Sequence, residues 1–190
     1  MRRQVLPALS MLAVMTFVLG VAYPLAVLGV GRVAFEEQAH GSIISRDGVP
    51  VGSRLMGQAF DRPEFFHPRP SSAGTGYNGT ASAASNLGPT NPKLTNAVAD
   101  RAVAYRQENG LGTDVAVPVD AVTASASGLD PHISVLNARL QAARVARVRN
   151  LSVATVMALV AAHTDGRLAG IFGEPGVNVL ELNLALEAAR

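Results

Sequence analysis

The chain has 190 residues, room for one ordinary domain and a membrane segment, and its size excludes a large multidomain enzyme. It contains no cysteine, which excludes a disulfide framework and any cysteine-ligated zinc or iron–sulfur centre. The basic isoelectric point does not mark a nucleic-acid binder: Arg2 and Arg3 carry the whole excess, and from Arg32 onward fourteen Lys and Arg balance fourteen Asp and Glu.

No charge occurs between Arg3 and Arg32, and Val5 to Gly31 is dominated by Leu, Val, Ala, Met, Phe and Gly. As helix these residues extend roughly 40 Å, against about 30 Å of hydrocarbon, so residues 5–31 are expected to form one tilted transmembrane helix. Pro7 is placed in its first turn, and Pro24 is expected to kink or weaken it. A cleaved signal peptide is the alternative, with a small-x-small site at Gly20-Val21-Ala22, but the apolar run continues through Val30 where a signal peptide turns polar. Arg2, Arg3 and the amino terminus on one flank, against Arg32, Glu36 and Glu37 on the other, place residues 1–4 in the cytoplasm and residues 32–190 outside it, at a cell (inner) membrane.

Ile43, Ile44, Val49, Val51, Leu55 and Met56 around Asp47-Gly48 predict a small hairpin within residues 42–60. Pro70 to Pro92 carries no charge and is rich in Ser, Thr, Asn, Gly, Ala and Pro; composition alone describes a flexible linker. Asn91 and Pro92 then cap and open a helix with Leu94, Val98, Ala102 and Tyr105 on one side, ending at Gly110. Pro118 to Ser125 offers a short helix. Asp130-Pro131 is read as a cap-then-proline start for a helix through about Arg149, with Ile133, Leu136 and Leu140 inward. Ser152 opens another, with Val153, Val156, Met157 and Val160, which stops at His163 and Asp165-Gly166. Val177 to Ala189 forms the last, on Val179, Leu182 and Leu186. The expected fold is α+β: one transmembrane helix followed by a single compact extracytoplasmic domain with a small β-sheet or hairpin and about four helices.

Common catalytic signatures are missing. Lys93 is the only lysine and follows Pro92, so neither a phosphorylatable Asp-Lys-Thr-Gly nor a Walker loop exists, and no Gly-x-Ser-x-Gly elbow is present. His40, His67, His132 and His163 are scattered without metal-ligand spacing, so no metal or cofactor site is expected. Asp130, His132 and Ser134 supply triad residue types but fall within one turn of the expected helix. Glu174 in Gly173-Glu174-Pro175-Gly176 is read as part of a turn into the last helix. From Pro131 to Thr164 no acid occurs, while Arg139, Arg144, Arg147 and Arg149 do. Such a run is either a solvated helix face or a docking surface for acidic partner loops or membrane lipid headgroups.

Three stretches carry a family resemblance. Tyr77-Asn78 with Ser85-Asn86-Leu87-Gly88-Pro89-Thr90-Asn91-Pro92 is the first, and Val119 to Ser125 running into Ser127-Gly128-Leu129-Asp130-Pro131-His132-Ile133-Ser134 is the second. The third is Gly173-Glu174-Pro175 with Val177 to Leu180 and Leu182 to Leu186. In this order they resemble the C subunit of Kdp potassium-transporting ATPases. Ala83-Ala84 and Ala126 stand where glycine is usual in that family, and Gly176 where arginine is frequent.

The resemblance implies a non-catalytic accessory subunit that stabilises assembly and tunes potassium entry or ATPase activity. It implies three partners: a channel-like potassium-translocating subunit, a P-type ATP-hydrolysing subunit and a small single-span subunit. Potassium is then the transported ion, and ATP is hydrolysed on the partner. It also implies an ordered loop at 77–92, whose neutral oxygens suit the outer mouth of the channel-like subunit; alternatively, Asn78, Asn86 and Asn91 simply satisfy backbone groups in turns. Candidate contacts are Tyr77, Asn78, Ser85, Asn86, Asn91, Arg139, Arg144 and Arg147. A catalytic-chaperone role that raises ATP affinity is the alternative within the family. Outside it stand a membrane-tethered hydrolase and a solute-binding module.

Overall fold

A computed structural model describes residues 2–189. Met1 and the Arg2 side chain, both counted in the cytoplasmic flank, and Arg190 lie outside the described residues. The chain divides into two compact units, one up to Val51 and one from Gly52 onward.

The first unit is dominated by one helix. Helix α1 (Arg2–Phe17) passes through a π-helical turn, Val18–Ala22, into α2 (Tyr23–Ala34). Residues Arg3–Ala34 form a helix long and apolar enough to cross a membrane. Pro24 explains the π turn. In a regular α-helix its ring would meet the carbonyl four residues back, at Gly20; the Tyr23 N–H instead bonds the Val18 carbonyl, which widens the turn and lets the helix continue. Pro7 is not in the first turn as expected, because α1 already begins at Arg2 and Pro7 falls inside it. A short helix α3 (Glu36–Ala39) leads to strands β1 (Ile43–Arg46) and β2 (Val49–Ser53), which pair as a hairpin. Asp47 and Gly48 both have positive φ, 52° and 78°, the conformation that matches a two-residue turn to strand twist.

The second unit is α+β. Helix α4 (Pro92–Asn109) starts where Asn91 accepts the Lys93 N–H and ends at left-handed Gly110. A single turn, α5 (Val119–Val122), precedes strand β3 (His132–Ser134), which leads directly into α6 (Val135–Arg149). Then follow α7 (Val153–Ala162), β4 (Thr164–Asp165), β5 (Gly176–Asn178) and α8 (Val179–Ala188). The sheet is antiparallel in the order β3-β5-β4, with Ile133 opposite Val177 and Thr164 also opposite Val177.

Two helix starts differ from the sequence reading. Asp130 does not cap a helix: its carboxylate accepts the His132 N–H at 3.0 Å and pairs with Arg69 at 2.8 Å, and residues 132–134 are strand. The cap of α6 is Ser134, which accepts the Asn137 N–H. Likewise Val177 and Asn178 belong to β5, and Asn178 caps α8 by accepting the Glu181 N–H. In both places a strand residue pairs in the sheet and then caps the next helix, so the sheet fixes where each helix begins.

The core joins Phe66, Ile133, Val156, Val160, Val177, Val179, Leu182 and Leu186 to one face of α6, made of Ala138, Ala142, Val145 and Ala146. Alanines there let the neighbouring helix approach closely. Leu136, expected inward, is 54% exposed, because α6 spends its remaining buried surface on polar residues. Leu182→Ala or Leu186→Ala is expected to cost about 2–5 kcal/mol, and Leu136→Ala within about 0.5 kcal/mol of neutral, in the denaturant midpoint of the full chain in detergent.

Candidate functional site

Segment 62–67 runs through the second unit without strand or helix partners, yet Phe66 is fully buried. Its carbonyls are all satisfied by side chains. Arg144 Nη1 donates to Pro63 and Phe65, Arg149 Nε to Glu64, Asn183 Nδ2 to Phe66, Gln141 Nε2 to His67, and His67 Nε2 faces the Arg62 carbonyl. Two amides each bracket one residue: Asn183 Oδ1 accepts the Phe66 N–H at 2.8 Å, and Gln141 Oε1 accepts the His67 N–H at 2.7 Å.

Arg144 is the hub and is 2% exposed. Besides the two carbonyls it donates from Nε to Asn109 Oδ1 at 3.0 Å and from Nη2 to Gln141 Oε1 at 2.9 Å. Burial pulls its pKa down from the usual guanidinium value, opposed by Glu108. Gln141 also donates to Asn137 Oδ1, which accepts the Tyr105 hydroxyl at 2.8 Å. Burial, with help from Asp120, pushes the Tyr105 phenol well above its usual value, so it stays a neutral donor. Glu108 lies 2.9 Å from His67 Nδ1, and this hydrogen bond holds its carboxyl below the ordinary range against the opposing effect of burial. Asp120 closes the N-terminus of α6, accepting from Ser134 N, Ser134 Oγ and Asn137 Nδ2. A cavity of about 180 Å³ opens beside these groups, lined in part by His67, Arg101, Tyr105, Glu108 and Gln141.

Arg144 therefore does not belong to a docking surface: its charge is consumed inside. Arg149 is largely spent on Glu64 and Leu186 carbonyls and stacks over the Phe65 ring at 5.0 Å. Arg139 and Arg147 remain exposed. The signal for this network was present in the sequence: Asn137, Gln141 and Arg144 recur at i, i+4 and i+7, one position before the apolar Ala138, Ala142 and Val145.

The uncharged loop is pinned along its first half. Ser71 Oγ donates to the Gly128 carbonyl and accepts the Tyr77 and Ala73 amides; the Tyr77 hydroxyl donates to the Arg69 carbonyl. Burial, with the Asp61 charge adding, pushes that phenol up to about 12. The Ala83 N–H and Ser82 Oγ both donate to the Ser127 carbonyl. Gly128 has φ +69°, and a Cβ there would lie 2.6 Å from the Ala73 nitrogen, so this contact requires glycine on two counts.

Asn78 accepts the Thr80 amide and hydroxyl, and Asn91 caps α4. Tyr77, Asn78 and Asn91 thus hold the loop together, whereas Ser85 and Asn86 are exposed, and Asn86 is in the left-handed region at φ 52°. The loop from Ala84 to Thr90 is presented between a pinned Ala83 and a pinned Asn91. The triad types do not converge: His132 Nε2 faces Asp165 at 3.1 Å while Ser134 faces Asp120. Glu174 pairs with Arg167 in the β4–β5 connection. Among the described residues, no group of three or more His, Asp and Glu side chains is placed to hold a metal ion.

The second and third of the stretches singled out above meet directly, since β3 pairs with β5 and Val179 N bonds the Pro131 carbonyl, and Ser71, Ser82 and Ala83, which flank Tyr77-Asn78 of the first, are held on 127–128. The class so defined is a small α+β body with a buried polar hub, carried behind one helix apt for a membrane crossing. The family model described as KdpC, K+-transporting ATPase, c chain, matches residues 5–188. The potassium-transporting ATPase KdpC subunit of Mycobacterium tuberculosis is 59% identical over 187 residues, covering 98% of this chain and 99% of that one. The KdpC subunit of Rhodospirillum rubrum is 54% identical over 187 residues, covering 98% and 96%. The chain belongs to the KdpC family.

Two outcomes follow from the hub. Arg144→Met leaves several buried acceptors without a donor and is expected to cost about 3–5 kcal/mol in denaturant unfolding, against less than about 0.5 kcal/mol for Arg139→Met. For Glu108 the folded pKa lies below the ordinary glutamate value, so its contribution is complete above that ordinary value and is lost as pH falls through the folded one. Glu108→Gln is therefore expected to be less stable than wild type at neutral pH, with the difference shrinking as pH falls below the ordinary carboxylate range.

Proposed function

We propose that this chain is the non-catalytic accessory C subunit of an ATP-driven potassium uptake complex. In this reading it sits in the cell membrane with residues 1–4 in the cytoplasm, one crossing, and the body outside. The observation that carries the reading is the near-full-length likeness to curated KdpC subunits, extending from the apolar helix to α8. Arg2 and Arg3 before the apolar run support the orientation. Its partners are then a channel-like potassium-translocating subunit, a P-type ATP-hydrolysing subunit and a small single-span subunit.

Within that complex the 84–90 loop rests at the outer mouth of the channel-like subunit. Ser85 and Asn86 offer oxygens that the fold does not use, while Tyr77, Asn78 and Asn91 position them. Arg139 and Arg147 add exposed positive charge for acidic loops or lipid headgroups. The body stabilises assembly and tunes potassium entry. With the nucleotide on the cytoplasmic side, residues 1–4 are too few to form a pocket for it, which favours this reading over that of a catalytic chaperone.

Purification on this chain from native membranes is expected to bring along a P-type ATPase and a channel-like protein. Recovery of the chain alone would contradict the reading. Ser85→Ala with Asn86→Ala is expected to leave assembly intact and to weaken the apparent potassium affinity of the complex several-fold; unchanged affinity would remove the loop from the entrance.

A further inference from the structure

The sequence contains two Asn-Gly pairs, Asn78-Gly79 and Asn109-Gly110. Asparagine before glycine is open to a particular chemical change, because the glycine nitrogen, with no Cβ beside it, can attack Cγ of the asparagine side chain. The structure treats the two pairs in opposite ways. Asn109 is closed off: it is 5% exposed, its Nδ2 donates to the Tyr105 carbonyl at 2.9 Å, and its Oδ1 accepts Arg144 Nε at 3.0 Å. The Gly110 N–H is occupied as well, by the carbonyls of Arg106 and Gln107 at the end of α4.

Asn78, Gly79 and Thr80 are all exposed. The turn itself is held in place: the Asn78 N–H donates to the Ala73 carbonyl at 3.1 Å, and the Asn78 carbonyl accepts the Ala81 N–H at 3.0 Å. Asn78 Oδ1 accepts two donors from one residue, the Thr80 N–H at 3.0 Å and the Thr80 hydroxyl at 2.7 Å. Among the described residues nothing accepts the Gly79 N–H. Two donors on one amide oxygen draw electrons from Cγ and stabilise the negative charge that the oxygen gains when Cγ is attacked, as an oxyanion hole does. At this pair the attacking nitrogen is unoccupied and the carbon it would attack is activated; at Asn109-Gly110 the nitrogen is engaged and the amide is clamped.

We infer that Asn78, and not Asn109, is a site of spontaneous deamidation in the folded chain, primed by Thr80. The Gly79 nitrogen gives its proton to a base in solvent and bonds to Cγ; the Cγ–Nδ2 bond breaks, and Nδ2 leaves as ammonia after taking a proton from water. Water then opens the resulting succinimide at either carbonyl, giving aspartate or isoaspartate, and no oxidant or other reactant enters. Aspartate keeps an oxygen for Thr80 and adds only a negative charge, in a stretch from Pro70 to Pro92 that otherwise has none. Isoaspartate runs the main chain through Cβ and Cγ and turns the carbonyl that Ala81 holds into a free carboxylate. It therefore undoes the turn ahead of the 84–90 loop. The inference stands apart from the accessory-subunit reading.

The test is incubation of the full-length chain in lipid nanodiscs, at neutral and at mildly alkaline pH in heavy-oxygen water, followed by peptide mapping with fragmentation that separates aspartate from isoaspartate. Asn78 is expected to convert with uptake of heavy oxygen, faster at the higher pH, and at least several-fold faster than Asn109. In denaturant, where neither pair is held, the two are expected to convert at similar rates. Gly79→Ala, whose added Cβ displaces only the flexible end of Met56, is expected to slow conversion several-fold. Thr80→Val, at an exposed residue, is expected to slow it as well while the unfolding midpoint stays put. An Asn78 that stays intact in the folded chain while it converts in denaturant overturns the inference, and so does equal conversion of Asn109 in the folded chain. Conversion of Thr80→Val at the wild-type rate or faster overturns the priming.

Discussion

The second unit depends on a peptide segment that no strand or helix takes in, exposed at Arg62 and Pro63 and buried at Phe65 and Phe66. Backbone polar groups inside a protein must be paired, and segment 62–67, a turn closed by the Phe65 N–H on the Arg62 carbonyl and then irregular chain, has no ladder to supply partners. Here α6 and α8 supply them instead, through Arg144, Arg149, Gln141 and Asn183. Each such bond contributes only about 1 kcal/mol net, but each left unmade in the interior costs about 1–3 kcal/mol. The segment therefore cannot shift register without orphaning several groups at once. It is this penalty, more than any gain from one bond, that sets Phe66 in the core and Arg69 beside Asp130.

From that fixed point the rest of the site follows. Arg69 and its carbonyl hold Asp130 and Tyr77; Tyr77 and Ser71 hold the loop on Gly128 and Ser127; Asn91 closes it on α4. What emerges is a short exposed arc, 84–90, whose ends are fixed and whose middle is free to meet a neighbour. Its chemistry is neutral throughout. The body gives up no charged group to this arc.

Much of the fold was legible because local signals agreed with one another. Asn91-Pro92 with Gly110 gave both ends of α4, Asp47-Gly48 gave the hairpin turn, and the apolar run gave the long helix. Apart from Pro7, which falls inside α1 because that helix starts at Arg2, the errors share one cause, tertiary pairing across distant residues. Asp130-Pro131 has the composition of a helix start, but residues 132–134 find β5, over forty residues later, and the cap passes to Ser134. Leu136 was expected inward with Ile133 and Leu140, but the side of α6 that meets segment 62–67 is the one carrying Gln141 and Arg144, and Leu136 is left 54% exposed. The uncharged loop was ambiguous for a related reason: its order comes from carbonyls at Gly128 and Ser127 that composition does not disclose. Of the residues first expected to face a partner, Arg144 turned out to be spent inward.

Hydrogen exchange of the full-length chain in lipid nanodiscs, alone and within the assembled complex, tests the central claim most directly. The account predicts that the amides of Tyr77, Asn78 and Ala83, each hydrogen-bonded within the body, are protected in both states. Residues 84–90 should exchange freely in the isolated chain and slow markedly on assembly. Free exchange across 71–83 in the isolated chain, or an unaltered rate at 84–90 in the complex, would contradict it.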